Sequence, residues 1–127
     1  MFKRIDHVEI VPSDFDRSLQ FYSEILGFRE RERIPIVGHP TLREVAYLDL
    51  GNTTLELLRY ESPESRPAHT PQVGYRMMAI EVDSMDAAIS YLAGKGIRPS
   101  EAPIDAGGSF RAEITDPDGL SIELRQW

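Results

Sequence analysis

The chain has 127 residues, 41% hydrophobic and 28% charged, which fits one soluble globular domain with a buried core. Its net charge is −7 (14 basic against 21 acidic residues) with no Lys/Arg-rich run, so neither nucleic acid nor an anionic membrane is an expected partner. There is no cysteine, which excludes disulfides, thiolate catalysis and Cys-based zinc sites. With no apolar run near the roughly 20 residues of a membrane helix and no signal-peptide core after Met1, a cytoplasmic protein is expected.

Residues 5–11 (Ile-Asp-His-Val-Glu-Ile-Val) predict a β-strand, from their branched residues and partial alternation. Ser13 and Asp14 supply N-cap chemistry, and Ser13 with Asp16 has capping-box spacing. Phe15, Leu19, Tyr22 and Leu26 recur at helical spacing, and Gly27 stands where a C-cap belongs, so a helix is predicted over 14–26. Residues 28–34 predict a charged, exposed strand, and Pro35, Gly38 and Pro40 a loop. A strand from Glu44 to Leu50, a turn at Gly51 and Asn52, and a strand through Glu56 to Tyr60 complete the first half.

Residues 61–73 contain three prolines and two serines and predict a linker. Beyond it the pattern repeats. Arg76 to Val82 predict a strand, and Asp83 and Ser84 open a helix carrying Met85, Ile89 and Leu92 on one face. Gly94, Lys95 and Gly96 end that helix. Ile97 and Arg98 start a further strand, Pro103 to Ser109 predict a loop, and Phe110 to Thr115 a strand. The chain closes on the turn Asp116-Pro117-Asp118-Gly119 and a strand alternating around Glu123.

Each half therefore predicts β-α-β-β-β. A shift of 67 positions superposes Asp49 on Asp116, Glu56 on Glu123 and Tyr60 on Trp127. Aligning the helix starts, Asp16 on Asp86, sets His7 over Met77 with a shift of 70. Half a chain is too short to close a good core alone, so the repeat predicts one domain over 1–127, with module one at about 1–60, a linker at about 61–73 and module two at about 74–127.

Glu56 and Glu123 each stand mid-strand, where a carboxylate normally needs a reason to be. If the two sheets curl towards each other, His7, Glu56 and Glu123 meet at one centre. One imidazole and two carboxylates suit a divalent ion such as Mn²⁺, Ni²⁺, Fe²⁺ or Zn²⁺, whose charge offsets that of the acids. Taken singly, a strand histidine is more often hydrogen-bonded than ligating, and a mid-strand glutamate more often lies on a solvated face. Repetition at matched positions raises the odds for the three together. His39 and His69 fall in loop contexts and read as ordinary exposed histidines.

The segments Ile5-Asp6-His7-Val8, Asp16 to Tyr22 and Leu26-Gly27-Phe28 resemble the vicinal oxygen chelate superfamily. So do Met77 to Asp83 and Asp116-Pro117-Asp118-Gly119 running to Leu124. This superfamily groups glyoxalase I, fosfomycin and bleomycin resistance proteins, extradiol dioxygenases and methylmalonyl-CoA epimerase. The resemblance implies an α+β fold of paired βαβββ modules forming a cupped mixed sheet around a metal. It sets the metal positions on His7, Glu56, Met77 and Glu123, with Met77 standing where the family usually has histidine. Glu9 and Glu81, on the strand faces of His7 and Met77, are candidate replacements for the missing ligand. Val11 stands where glutathione-dependent glyoxalases usually have an arginine.

The resemblance implies a divalent-metal-dependent lyase, isomerase or epimerase acting on a small carbonyl compound by enediolate stabilisation, with Glu56 or Glu123 as general base. The alternative is a metal-free binder of small molecules of the bleomycin-resistance type, for which Met77 speaks. A homodimer is the expected assembly.

Overall fold

Eight strands and two helices follow one another as two βαβββ runs, in a computed structural model that describes residues 1–65 and 73–127. The first run is β1 (His7–Ile10), α1 (Phe15–Gln20) continuing into a π-helical stretch (Phe21–Ile25), β2 (Arg29–Pro35), β3 (Leu42–Leu50) and β4 (Thr53–Tyr60). The second is β5 (Met78–Glu81), α2 (Met85–Gly94), β6 (Glu101–Asp105), β7 (Phe110–Thr115) and β8 (Ser121–Gln126). The runs form two compact units, each with its own four-stranded sheet. The sheet orders are β1-β4-β3-β2 and β5-β8-β7-β6. In both, the first strand runs parallel to the last, and the remaining pairs are antiparallel. This is the α+β architecture expected from the repeat.

In the first unit the alternation of β4 decides which face is covered. Leu55 and Leu57 are almost fully buried, as are Leu48 and Ala46, their antiparallel partners on β3. α1 lies against β4. The π-helical stretch adds buried Phe21 and Tyr22, with Tyr22 edge-on to Phe21 (5.1 Å between centroids) and to Phe28 (5.8 Å). Fully burying each such side chain contributes about 1.5–3 kcal/mol. Thr54 and Glu56 point the other way, by the period of two.

The helix predicted over 14–26 is one rod in outline but two geometries in detail. Asp14, not Ser13, is the N-cap residue, its carboxylate accepting from the Arg17 N–H at 3.1 Å. Asp16 instead accepts from Arg59 on β4 at 2.9 Å. After Gln20 the turns widen: the Leu26 N–H reaches the Phe21 carbonyl five residues back at 3.1 Å. The Ser23 hydroxyl, donating to the Leu19 carbonyl at 2.6 Å, competes for an acceptor of the helix ladder there. Gly27, at φ +80°, supplies the left-handed residue that ends it.

In the second unit Ala112, Ile114, Ile122 and Leu124 are buried on one face of β7 and β8, and α2 lies against β8 with Met85 and Leu92 buried. Ser84 caps α2, accepting from the Ala87 N–H at 3.3 Å. The turn before β8 closes on Asp116, which accepts from the N–H groups of Asp118 (2.8 Å) and Leu120 (2.9 Å). Gly119 stands there at φ +79°, as its turn requires.

The main departure from expectation lies at β6. A strand starting at Ile97 and a loop from Pro103 were expected; the strand is Glu101–Asp105 and contains Pro103. β6 is an edge strand, paired on one side only, and its register with β7 breaks between Glu101 and Ile104. A residue with no N–H to donate is tolerated at such a place. The predicted linker over 61–73 lies mostly outside the described residues, and His69 lies wholly outside them.

Candidate functional site

The candidate site of the first unit is built by one parallel register. β1 pairs with β4 so that His7 stands opposite Thr54 and Glu9 opposite Glu56. His7 and Glu9, two residues apart, share a face of β1, and the period of two sets Thr54 and Glu56 on that same face of β4. One ligand atom from each of His7, Glu9 and Glu56 lies within 4.8 Å of the others, the one such group of three metal-ligating residues among the described residues. Nε2 of His7 is 3.5 Å from Glu9 Oε1, and Nδ1 is 3.7 Å from Glu56 Oε1. Glu56 is the most sheltered, its side chain 14% exposed against 36% for His7 and 53% for Glu9.

Asp6, on the approach to β1, orients the ring. Its Oδ2 lies 3.1 Å from His7 Nδ1, while its Oδ1 accepts from Arg4 at 2.8 Å. The Asp6 hydrogen bond, with the Glu56 carboxylate charge behind it, raises the pKa of His7 above its ordinary 6.5. Reciprocally, the hydrogen bond from His7 and the charge of Arg4 hold Asp6 below its ordinary value. An imidazole whose Nδ1–H is committed to a carboxylate keeps Nε2 free to ligate, the outer-shell arrangement seen at metal-binding histidines.

The acids of this face differ in how they are neutralised. Asp49, on β3, accepts from Arg29, Arg31 and Thr54, each at 3.0 Å. Glu9 and Glu56 have His7 and no Arg or Lys within ion-pair distance among the described residues. Two carboxylates left with one imidazole is a donor set that a divalent cation completes, and it fits the borderline first-row ions.

Glu123 occupies the matched place in the second unit. β5 pairs with β8 so that Ala79, not Glu81, stands opposite Glu123, as Glu9 stands opposite Glu56. Glu81 is one rung further on, opposite Arg125. Met77 precedes β5, and its sulfur lies 3.2 Å from Arg76 Nη1. Glu123 Oε1 accepts from Arg125 Nη1 at 3.2 Å, and its Oε2 lies 3.5 Å from Arg111 Nη2. The neighbouring Glu113 is buried and takes Arg111 at 2.7 Å and Arg76 at 3.1 Å.

The structure thus brings His7 and Glu56 together with Glu9, and sets Glu123 among arginines of its own unit. Two contributors escaped the sequence reading. Asp6 carries the signal of standing beside a candidate ligand in a strand. The arginine network carries the signal of Arg111-x-Glu113 and Glu123-x-Arg125, two period-two charge pairs on strands that turn out to be neighbours. His39 is exposed as expected, but its Nδ1 accepts from the Thr41 and Leu42 N–H groups at 3.1 and 2.8 Å, closing the loop before β3.

Known proteins are similar to this chain over nearly its whole length. The chain is similar to mitochondrial methylmalonyl-CoA epimerase of Homo sapiens, 32% identical over 131 residues that cover 97% of this chain and 73% of that one. The protein YwkD of Bacillus subtilis (strain 168) is 34% identical, with 98% of this chain and 97% of that one covered. Among solved structures, the glyoxalase family protein from Enterococcus faecalis superposes with a TM-score of 0.83 at 30% identity, covering 98% of both chains. The family model described as Glyoxalase/Bleomycin resistance protein/Dioxygenase superfamily matches residues 4–124. By strand order, by repeat and by this match, the chain belongs to that superfamily.

Proposed function

We propose that the protein is a divalent-metal-binding, glyoxalase-like enzyme, a lyase, isomerase or epimerase that moves a proton next to the carbonyl of a small compound through an enediolate. The observation that carries this reading is the convergence of His7, Glu9 and Glu56 within 4.8 Å, with both carboxylates free of Arg and Lys among the described residues. His7, Glu9 and Glu56 would hold the ion; bound there, it would supply a Lewis acid for two adjacent substrate oxygens. Glu56, the best sheltered of the three, is the proposed general base, a role typically worth about 10²–10⁴-fold. Asp6 keeps the His7 ring in place.

Glu123 is proposed as a further acid of the site, as ligand or second base. Both its oxygens already face arginines, so its weight should be less than that of Glu56. Similarity to methylmalonyl-CoA epimerase directs the first assays to acyl-CoA thioesters with an acidic α-carbon, followed by hemithioacetals of 2-oxoaldehydes. Small-molecule substrate, homodimer and cytoplasm complete the reading; light scattering on the purified chain checks the dimer.

The test is calorimetric titration of the chelator-treated protein with Mn²⁺, Ni²⁺, Zn²⁺ and Fe²⁺. Stoichiometric binding in the wild type that vanishes in Glu56→Gln is the expected result. No binding of any of these at micromolar strength rules the reading out. A second reading, a metal-free binder that sequesters its ligand, draws on Met77 and on Ala79, which has no ligating atom and stands opposite Glu123 on β5. Turnover of any substrate above rules it out.

A further inference from the structure

The registers of the first sheet line its four strands up rung by rung. On one rung His7, Thr54, Asp49 and Arg29 stand side by side, and on the next Glu9, Glu56, Tyr47 and Glu32. The rung beyond sets Val45 between Leu58 and Ile34. Directly opposed residues point to one face of a sheet, so Tyr47 stands on the face that carries His7, Glu9 and Glu56. Cβ atoms in such an antiparallel pair lie roughly 4.5–5.5 Å apart, which makes Tyr47 the lateral neighbour of Glu56. The imidazole and Glu9 flank Glu56 from β1; the phenol flanks it from β3.

The Tyr47 ring is held while its hydroxyl is left open. The Arg31 guanidinium of β2 lies over the ring, 5.3 Å from its centroid, and is itself fixed by Asp49 at 3.0 Å. Val45 and Leu58, on the next rung, are buried and keep one flank apolar. A half-buried phenol in such a place usually spends its hydroxyl on a neighbour. The Tyr47 hydroxyl has no hydrogen-bond partner among the described residues, and it is not sealed from solvent. The Thr54 hydroxyl, one rung away, is by contrast spent on Asp49 at 3.0 Å. Tyr47 is therefore a restrained and accessible donor beside the proposed base.

We infer that Tyr47 is a further catalytic residue, donating a hydrogen bond to the substrate oxygen on which negative charge develops. As Glu56 takes the proton from carbon, the C–H bond breaks and its electron pair moves onto the adjacent carbonyl oxygen. The Tyr47 O–H meets that oxygen and keeps its own proton, and Glu56 returns the proton it took. A donor aimed at a developing oxyanion is typically worth about 10²–10³-fold. The inference rests on the proposed proton transfer at Glu56 and adds the group that meets the displaced charge.

Tyr47→Phe keeps the ring and its contact with Arg31 and removes only the hydroxyl. The full chain, wild type and variant, is titrated by calorimetry with Mn²⁺, and then with acetohydroxamate in the presence and absence of Mn²⁺. The two adjacent oxygens of acetohydroxamate imitate an enediolate. Exchange of the α-proton of methylmalonyl-CoA in D₂O is followed by NMR on the same samples. The variant should hold Mn²⁺ within about twofold of the wild type and bind acetohydroxamate about tenfold more weakly. It should exchange the proton about 100-fold more slowly. Equal acetohydroxamate affinity in the two proteins overturns the inference, as does a wild type that binds none. So does a variant that loses Mn²⁺ too, because the tyrosine then acts by supporting the site and not on the ligand. Failure of the functional reading looks different: the wild type itself exchanges no proton, while acetohydroxamate still binds it more tightly than Tyr47→Phe. That result removes the proton transfer and leaves Tyr47 as the donor to the ligand oxygen.

Discussion

On β4 of the first unit Glu56 faces Glu9 and has only His7 as a charged partner among the described residues; on β8 of the second, Glu123 faces Ala79 and shares two arginines. The strand order, the parallel pairing of first strand to last, and the covering helix are common to both units. What differs is which charges stand on the uncovered face. A duplicated backbone thus carries acids paired only with an imidazole in one copy and acids paired with arginines in the other. Fold-level symmetry comes from the hydrophobic alternation. Chemistry is free to diverge on the face that alternation leaves unused.

The largest expected effect separates the two glutamates. Glu56→Gln should lower divalent-ion affinity by at least about 100-fold, since losing even an outer partner of a ligand costs about 10–100-fold. Glu123→Gln should lower it by less, about tenfold or under, because its oxygens are already engaged. Equal losses in calorimetry would erase the asymmetry between the two glutamates.

Next comes a stability effect confined to the second module. Glu113, 4% exposed, neutralises Arg111 and Arg76. Glu113→Gln should destabilise the protein by about 2 kcal/mol, short of a fully buried pair because both arginines keep some solvent contact. Divalent-ion affinity should not change. Urea unfolding with and without Mn²⁺ checks both statements.

Asp6→Asn should weaken ion binding by about tenfold as the His7 ring loses its outer partner. It should also bring the His7 pKa down towards 6.5, which NMR titration of the ring protons reads directly. In the wild type, protons and metal compete for His7, so affinity should fall as pH drops through a His7 pKa that lies above 6.5. The metal-free protein behaves oppositely at that group. A raised histidine pKa contributes stability that is present below 6.5 and lost as pH rises through the folded value. The lowered Asp6 contributes above 3.8 and loses its contribution as pH falls through its folded value. The pair therefore helps most between the two.

The smallest effects compare the helix caps. Asp14→Ala and Ser84→Ala each remove a side-chain acceptor from a first-turn N–H and should cost about 1 kcal/mol. The Ser84 bond is the longer, at 3.3 Å, so its loss should cost less in thermal unfolding.

Much of the fold was legible along the chain because its signals are local. Alternation in Leu55-Glu56-Leu57 and Ile122-Glu123-Leu124, the helix caps and the Asp116-Pro117-Asp118-Gly119 turn depend on residues within a few positions of each other. The repeat itself carried the duplicated architecture. β6 was misplaced because a proline within an apparent loop is equally compatible with an edge strand, and edge position is a property of the sheet. The π-helical stretch after Gln20 has no periodic signature separable from an α-helix over five residues.

Residue types and periods by themselves pointed to the two βαβββ runs and to His7 and Glu56 as candidate partners, and the motifs they carry resemble the family. Tertiary structure alone decided that Glu9 joins them, that Asp6 holds the ring, and that Glu123 stands among arginines. The reason is register: whether a carboxylate meets an imidazole or a guanidinium depends on which rung it shares with strands dozens of residues away. Each strand's own sequence is blind to that choice.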